Sequence, residues 1–152
     1  MREQLTDMLK TAMKAGDKRR VATVRLIQAA LKDRDIEARG AGREVTNDDI
    51  LAMLQKMVKQ RQDSIAIYDQ AGRDDLATQE REEIAIIAEF LPAAMSEEEI
   101  RAAIASAITE SGATGPKDMG KVIANLKGQY AGRIDFAKAS GTVKEMLAAQ
   151  AG

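Results

Sequence analysis

Apolar residues recur at helical spacing along almost the whole chain, and only two prolines interrupt it. Leu5, Met8, Leu9, Ala12 and Met13 form the first stripe, at intervals of three and four residues. This spacing places the apolar side chains on one side of an α-helix. Alanine, leucine, methionine, glutamate, lysine and arginine are abundant, and all are strong helix formers. The sequence therefore predicts an all-α protein.

Glycines and prolines divide these stripes into seven helices. Gly16 ends the first helix, residues 40–42 form a loop after the second, and Gly72 closes the third. Pro116 suits the first position of the sixth helix, because an N–H at that position would make no hydrogen bond within the helix. Residues 128–132 begin and end with glycine and separate the sixth helix from the seventh. Four longer helices are thus followed by three short ones.

The segment around Pro92 is the strongest candidate for a domain boundary. Proline disfavours helix at the residue before it. Ser96 and Glu99 then have the spacing of a capping box, which begins a new helix. We therefore expect an N-terminal four-helix part over residues 1–93 and a small C-terminal three-helix domain over residues 94–152.

The residue types that are missing limit the chemistry. The chain contains no histidine, cysteine or tryptophan, which removes the usual general base, the thiolate nucleophile and most transition-metal ligands. No Gly-x-Ser-x-Gly or Walker-type loop is present. Ser–Lys or paired-carboxylate chemistry is the alternative that remains open, but we predict no catalytic residue, no metal site and no cofactor. With no secretory signal and no apolar run of ~20 residues, the expected location is the cytoplasm, without a membrane segment.

Two charged residues fall inside apolar helix stripes. Arg61 lies within the stripe of the third helix, and Glu80 lies within the stripe of the fourth. A charge that faces a core must be paired, because burying it alone is strongly unfavourable. We therefore expect an Arg61–Glu80 ion pair between the two helices. The alternative is that Arg61 points into a cleft and binds an anion.

The second helix is basic, although the net charge of the chain is −1. Eight basic and two acidic residues lie between Lys10 and Arg34. Arg25 and Lys32 share one flank of this helix, where they would either contact phosphates or form a solvated face. Aromatic residues make up 3% of the chain, so any nucleic-acid binding would read backbone and shape and not stack on bases.

A glycine inside the sixth helix needs an explanation. Gly120 costs roughly 1 kcal/mol there relative to alanine. Close packing against another helix would account for the missing side chain. Close approach of a phosphate backbone, helped by Lys121 and Arg133, would account for it equally well.

Short motifs in order along the chain resemble the YqeY family, and together they cover essentially its whole length. They are Met13–Lys18 with Val24–Ile27, Arg61–Ser64 through Tyr68, Ala71–Arg73 with Leu76 and Ala77, Glu80 with Glu83, Phe90–Pro92, Met119–Val122 and Gly132–Asp135. Ile134 departs from the pattern, which has a small residue at this position.

The resemblance implies a C-terminal part similar to the tail domain of the B subunit of the glutamine-dependent tRNA amidotransferase (GatB). In that enzyme the tail helps to hold tRNA, and the kinase and amidase chemistry lies elsewhere. A similar module fused to some glutaminyl-tRNA synthetases is understood to assist tRNA binding. The implied partners are tRNA and an aminoacyl-tRNA synthetase or amidotransferase. The family label is carbon–nitrogen ligation with glutamine as amido-N donor. This chain lacks the kinase and amidase domains that would perform this chemistry.

We therefore expect an accessory tRNA-binding protein that has no catalysis of its own. The expected contacts are Lys117, Gly120, Lys121, Lys127, Gly132 and Arg133 in the C-terminal domain, with Arg25 and Lys32 as a second patch. The alternatives are a helical protein–protein adaptor and a component of the ligase activity that the family label names.

Overall fold

A computed structural model describes residues 1–151 of the chain. These residues form seven α-helices and one short 3₁₀ turn. The helices are α1 (Arg2–Ala15), α2 (Lys18–Gly40), α3 (Asn47–Gln70), α4 (Asp74–Ala88), α5 (Glu97–Ser111), α6 (Met119–Tyr130) and α7 (Phe136–Ala151). No strand occurs among these residues, which confirms the prediction of an all-α protein. None of these described helices is long and apolar enough to cross a membrane.

The first compact unit, Met1–Pro92, contains α1 to α4. Helix α4 packs against both α3 and α2, and α1 packs against α2. The apolar stripes of the four helices meet in one core, which includes Leu5, Val24, Ile27, Leu31, Ile50, Leu54, Ile87 and Phe90. Most of each stripe therefore faces inward, as helical periodicity requires, whereas Met13 at the end of the first stripe is 54% exposed.

Side chains of the local sequence determine where α3 and α5 begin. The Thr46 hydroxyl accepts a bond from the Asp49 N–H at 3.1 Å, and the Asp49 carboxylate accepts one from the Thr46 N–H at 2.9 Å. Ser96 and Glu99 form the same reciprocal pair at 3.1 and 3.3 Å. These bonds satisfy N–H groups that a helix start leaves without partners. The capping box expected at Ser96 is thus confirmed.

The second compact unit, Ala93–Gly152, contains α5 to α7. Its own core includes Ile104, Ile108, Val122, Leu126, Ile134, Val143 and Leu147. Ile134 is 1% exposed, so the residue that departs from the family pattern fills space in this core.

Helix α6 begins later and ends later than its sequence predicts. Pro116 starts a 3₁₀ turn, Pro116–Asp118, in which the Asp118 N–H donates to the Gly115 carbonyl at 2.9 Å. At the other end, α6 continues through Gly128 to Tyr130. Tyr130 is half-buried against the core of the second unit, and this packing outweighs the weak helix preference of glycine.

Candidate functional site

One face of α6 consists of small residues bordered by two lysines. Gly120, Ala124 and Gly128 follow one another at four-residue intervals, and all are exposed. Lys121 and Lys127 lie on opposite sides of this row, since successive residues turn by about 100° around the helix. A Cβ added at either glycine would meet no atom within 4 Å. Close helix packing therefore does not explain Gly120, and the face is open to a ligand that approaches the helix backbone.

The three lysines of this unit that are expected to contact RNA make only surface interactions within the protein. Lys121 Nζ lies 3.9 Å from Asp118 Oδ1, and 67% of the Lys121 side chain is exposed. Lys127 Nζ lies 5.8 Å from the centre of the Phe136 ring. Lys117 is exposed on the 3₁₀ turn. Surface contacts of this kind are worth at most about 1 kcal/mol, so all three ammonium groups are available to an anion.

Asp118, at the start of α6, is bound to the loop before it. Its Oδ2 accepts bonds from the Thr114 N–H at 3.0 Å and from the Thr114 hydroxyl at 3.3 Å. The backbone bond is the main cause that lowers the pKa of Asp118, and the nearby Lys121 and Lys117 lower it further. The ionised carboxylate therefore orders this loop and offsets part of the lysine charge beside it.

Gly132 and Arg133 do not belong to the α6 face. Gly132 is buried and has a φ of +80°, a backbone conformation that favours glycine. Arg133 Nε donates to the Ala93 carbonyl at 3.0 Å, and the Arg133 carbonyl accepts from the Met95 N–H at 3.3 Å. These residues join the loop after α6 to the segment before α5. Burial removes Gly132 from the candidate contacts, and Arg133 has a structural use.

Arg25 and Lys32 lie in the first unit, on the exposed side of α2. Seven residues separate them, which corresponds to about 10 Å along the helix axis. No ion pair among the described residues uses either side chain. The second patch expected from the sequence is therefore exposed and unpaired, but it lies in a different compact unit from the α6 face.

Arg61 lies at the centre of an ionic cluster in the first unit. Its Nε donates to Glu83 Oε2 at 2.9 Å, and its Nη1 donates to the Met57 carbonyl at 3.1 Å. Glu80 Oε2 lies 3.9 Å from Arg61 Nε. The three charged side chains are 13%, 10% and 20% exposed for Arg61, Glu83 and Glu80. Glu83 is thus the close partner and Glu80 the second one, and these bonds favour a structural role for Arg61 over anion binding.

A second arginine extends this cluster to α2. Arg19 Nη1 lies 4.0 Å from Glu83 Oε1, and Arg19 Nε donates to Glu82 Oε2 at 3.2 Å. The cluster therefore links α2, α3 and α4. Sequence reasoning missed Glu83, although it lies one helical turn after Glu80 and shares the same side of α4. The grouping of both glutamates in the family motif was the available signal.

The two glutamates of the cluster should respond oppositely to the same substitution. Burial raises the pKa of Glu80, the nearby Glu83 raises it further, and Arg61 opposes both. A raised folded-state pKa means that the stability gained by protonating Glu80 is lost as the pH rises through that pKa. We expect Glu80→Gln to leave the free energy of unfolding at pH 7 unchanged or higher, and Glu83→Gln to lower it by about 1–3 kcal/mol.

Urea unfolding at several pH values measures this difference. The effect of Glu80→Gln should vanish on acidification, because the wild-type carboxyl then becomes neutral. Equal losses from the two substitutions at pH 7 would contradict the assignment of Glu83 as the partner of Arg61.

The ionic cluster and the α6 face differ in what they leave open to a ligand. The part of the chain that the structure describes holds no group of three or more histidine, cysteine, aspartate or glutamate residues placed to hold a metal ion. The ionic cluster has its charges satisfied internally, with no buried polar side-chain atom left unpartnered in the described residues. The α6 face instead presents unburied cations around an open helix backbone, and this arrangement suits an extended anion.

The fold and these residues define an all-helical protein of two compact units, with an internal ionic cluster in the first and a lysine-bordered helix face in the second. A family model described as Yqey-like protein matches residues 2–147. The chain belongs to this family, which confirms the resemblance found in its motifs.

Curated relatives of this chain carry the name "Altered inheritance of mitochondria protein 41, mitochondrial". The relative from Kluyveromyces lactis is 31% identical over 144 residues, which cover 93% of this chain and 72% of that protein. The relative from Lachancea thermotolerans is 35% identical over 67% of this chain and 54% of that protein. The relative from Clavispora lusitaniae is 39% identical over 59% of this chain and 52% of that protein. The chain therefore spans between about half and three quarters of the length of these relatives.

This name contradicts the cytoplasmic location expected from the sequence, because the relatives are mitochondrial proteins by name. The expectation rested on the lack of a secretory signal and of a long apolar run. Neither observation bears on mitochondria, since mitochondrial transit peptides are amphipathic and rich in arginine and serine.

Proposed function

We propose that this protein is an accessory tRNA-binding module whose second compact unit acts as a tail-like domain and holds the phosphate backbone on α6. The observation that carries the proposal is the open row of Gly120, Ala124 and Gly128 between Lys121 and Lys127. Small residues let a backbone approach the helix closely, and the lysines supply the charge that phosphates require.

The electrostatics of this face fit a contact with phosphates and not with bases. The chain has no tryptophan, and aromatic residues make up 3% of it. Lys127 lies over Phe136, so this ring already has a cation on its face. Such a surface would bind RNA through charge and shape, with strong dependence on salt. An aminoacyl-tRNA synthetase or an amidotransferase would use the bound tRNA, and any ligase chemistry would belong to that enzyme.

Charge reversal on α6 tests the proposal. We expect Lys121→Glu with Lys127→Glu to weaken binding of bulk tRNA at least about tenfold at 50 mM salt and to flatten its salt dependence. Filter binding over a salt series measures both effects. Lys56→Glu with Lys59→Glu is the matched control, because both lysines are exposed on α3 and make no ion pair with the described residues.

A steric variant tests the close approach separately. Gly120→Leu adds a side chain where nothing lies within 4 Å, so the fold should be retained while a phosphate backbone is kept away from α6. Gly141→Leu on α7 is the control, since that helical glycine is equally open. No tRNA binding by the wild type at 50 mM salt, or binding that neither α6 variant weakens relative to its control, would overturn the proposal.

A further inference from the structure

Four cations recur every seven residues along the outer side of α2. They are Lys18, Arg25, Lys32 and Arg39, and all four are exposed. No ion pair among the described residues includes any of them. Because seven residues fall only about 20° short of two full helical turns, the four side chains form one edge about 31 Å long.

Apolar side chains follow the same seven-residue interval beside this basic edge. Ala22, Ala29 and Ile36 form the row, and Leu26 lies next to it. Ile36 is 59% exposed and Leu26 is 47% exposed. The described residues contain four exposed large apolar side chains, and three of them are Ile36, Leu26 and the nearby Met13 of α1. This concentration marks an interaction surface, because exposed apolar residues are otherwise scattered.

A groove deepens this surface where α1 ends and α2 begins. It has a volume of about 420 Å³ and is lined by Met13, Gly16, Lys18, Val21, Ala22 and Arg25. Most of its wall is apolar, and the two cations Lys18 and Arg25 are among the residues that line it. A groove of this kind accepts an apolar side chain of a partner and pairs a neighbouring carboxylate of that partner.

The opposite edge of the same surface carries acidic residues. Asp33 and Glu37 are exposed and lie beyond the apolar row, on the side away from Arg25 and Lys32. Glu37 Oε2 lies 4.0 Å from Arg34 Nη1, and Asp33 makes no ion pair with the described residues. Carboxylates at this position repel a phosphate backbone, so they disfavour nucleic acid. A basic edge and an apolar row at seven-residue spacing, with these two carboxylates on the far side of the row, are instead the surface that a packed helix uses.

We infer that the outer face of α2 is a docking site for an amphipathic helix of another protein, with acidic residues at seven-residue intervals along one of its edges. These carboxylates pair with Lys18, Arg25, Lys32 and Arg39, and the apolar side of the partner helix covers Ile36 and Leu26. This binding is separate from the RNA contact proposed for α6, since it uses another compact unit and another chemistry.

A designed peptide tests the inference on the full chain. The probe is a fluorescent helix of about four heptads with leucine in its core row and glutamate along one edge. We expect it to bind, and Arg25→Glu with Lys32→Glu to weaken the binding at least about tenfold. Replacing by lysine only the two peptide glutamates that face positions 25 and 32 should restore binding to that double variant and weaken it for the wild type. Fluorescence anisotropy measures each affinity.

Two further variants separate helix docking from simple charge attraction. Leu26→Ser with Ile36→Ser should weaken peptide binding by a similar factor, because it removes apolar contacts and leaves every charge in place. Lys56→Glu with Lys59→Glu should leave the affinity unchanged within about twofold, since these exposed lysines lie on α3.

Three results would overturn the inference. The first is a peptide affinity that Lys56→Glu with Lys59→Glu reduces as much as the α2 charge variant does. The second is tRNA binding that the α2 charge variant abolishes and the α2 serine variant leaves intact, which would make this face a nucleic-acid surface. The third is a concentration-dependent dimer that the serine variant dissociates, which would assign the face to a second copy of this chain.

Discussion

Replacing Arg61 by methionine is expected to lower the free energy of unfolding by about 3 kcal/mol, because it leaves the Glu83 carboxylate buried without its close partner. The Glu83 side chain is 10% exposed and lies 2.9 Å from Arg61 Nε. Arg19, at 4.0 Å, is too distant to replace this hydrogen bond. Glu80 would lose its cation as well, and its pKa would rise further above the usual value.

The double variant Arg61→Met with Glu83→Met should recover most of this loss, since removing both charges leaves neither one stranded. Arg81→Met is the control for a surface pair. Arg81 bonds Asp69 at 2.8 Å, but the two side chains are 53% and 45% exposed, so we expect a loss of at most about 0.5 kcal/mol. Urea unfolding, together with hydrogen exchange on α3 and α4, measures the loss of stability in all three variants. A loss for Arg61→Met no larger than that for Arg81→Met would refute the cluster as a source of stability.

Replacing Gly132 by valine is expected to lower the free energy of unfolding of the second unit by about 3 kcal/mol. Its φ of +80° is a conformation that side chains branched at Cβ avoid strongly. Its position is also buried, so the added methyl groups would overpack it. The two costs combine at one residue.

Gly112 separates these costs. It has a φ of +70°, but it is exposed and a Cβ there would meet no atom within 4 Å. Gly112→Val should therefore show the conformational cost alone, of about 1–2 kcal/mol. Thermal unfolding of both variants gives the comparison. Equal losses in the two variants would contradict this prediction, because they would show that the burial of Gly132 adds no cost.

Much of the fold could be predicted because helical periodicity and capping are local properties of the sequence. The apolar stripe of Leu5 and Ala12 and the Ser96–Glu99 capping box need no knowledge of distant residues, and the structure contains both. The boundaries of α6 were harder to predict. There the 3₁₀ turn at Pro116 and the packing of Tyr130 depend on neighbours that the local pattern does not reveal.

The candidate site could be predicted less completely, because it depends on which side chains meet across helices. Periodicity placed Arg61 and Glu80 on facing stripes, but it could not show that Glu83 comes closer, at 2.9 Å against 3.9 Å. It likewise suggested two explanations for Gly120, and only the open space around this glycine excludes helix packing. Burial of Gly132 was also not visible in the sequence.

The two separate cores have a consequence for the way this protein is made. Every residue of the first core lies at or before Leu91. The first unit can therefore close around its ionic cluster while the ribosome is still adding the second, at about 5–20 residues per second. Helix α5 then begins at its own Ser96–Glu99 capping box. Folding during synthesis would in this way keep the apolar stripes of one unit from packing wrongly against those of the other.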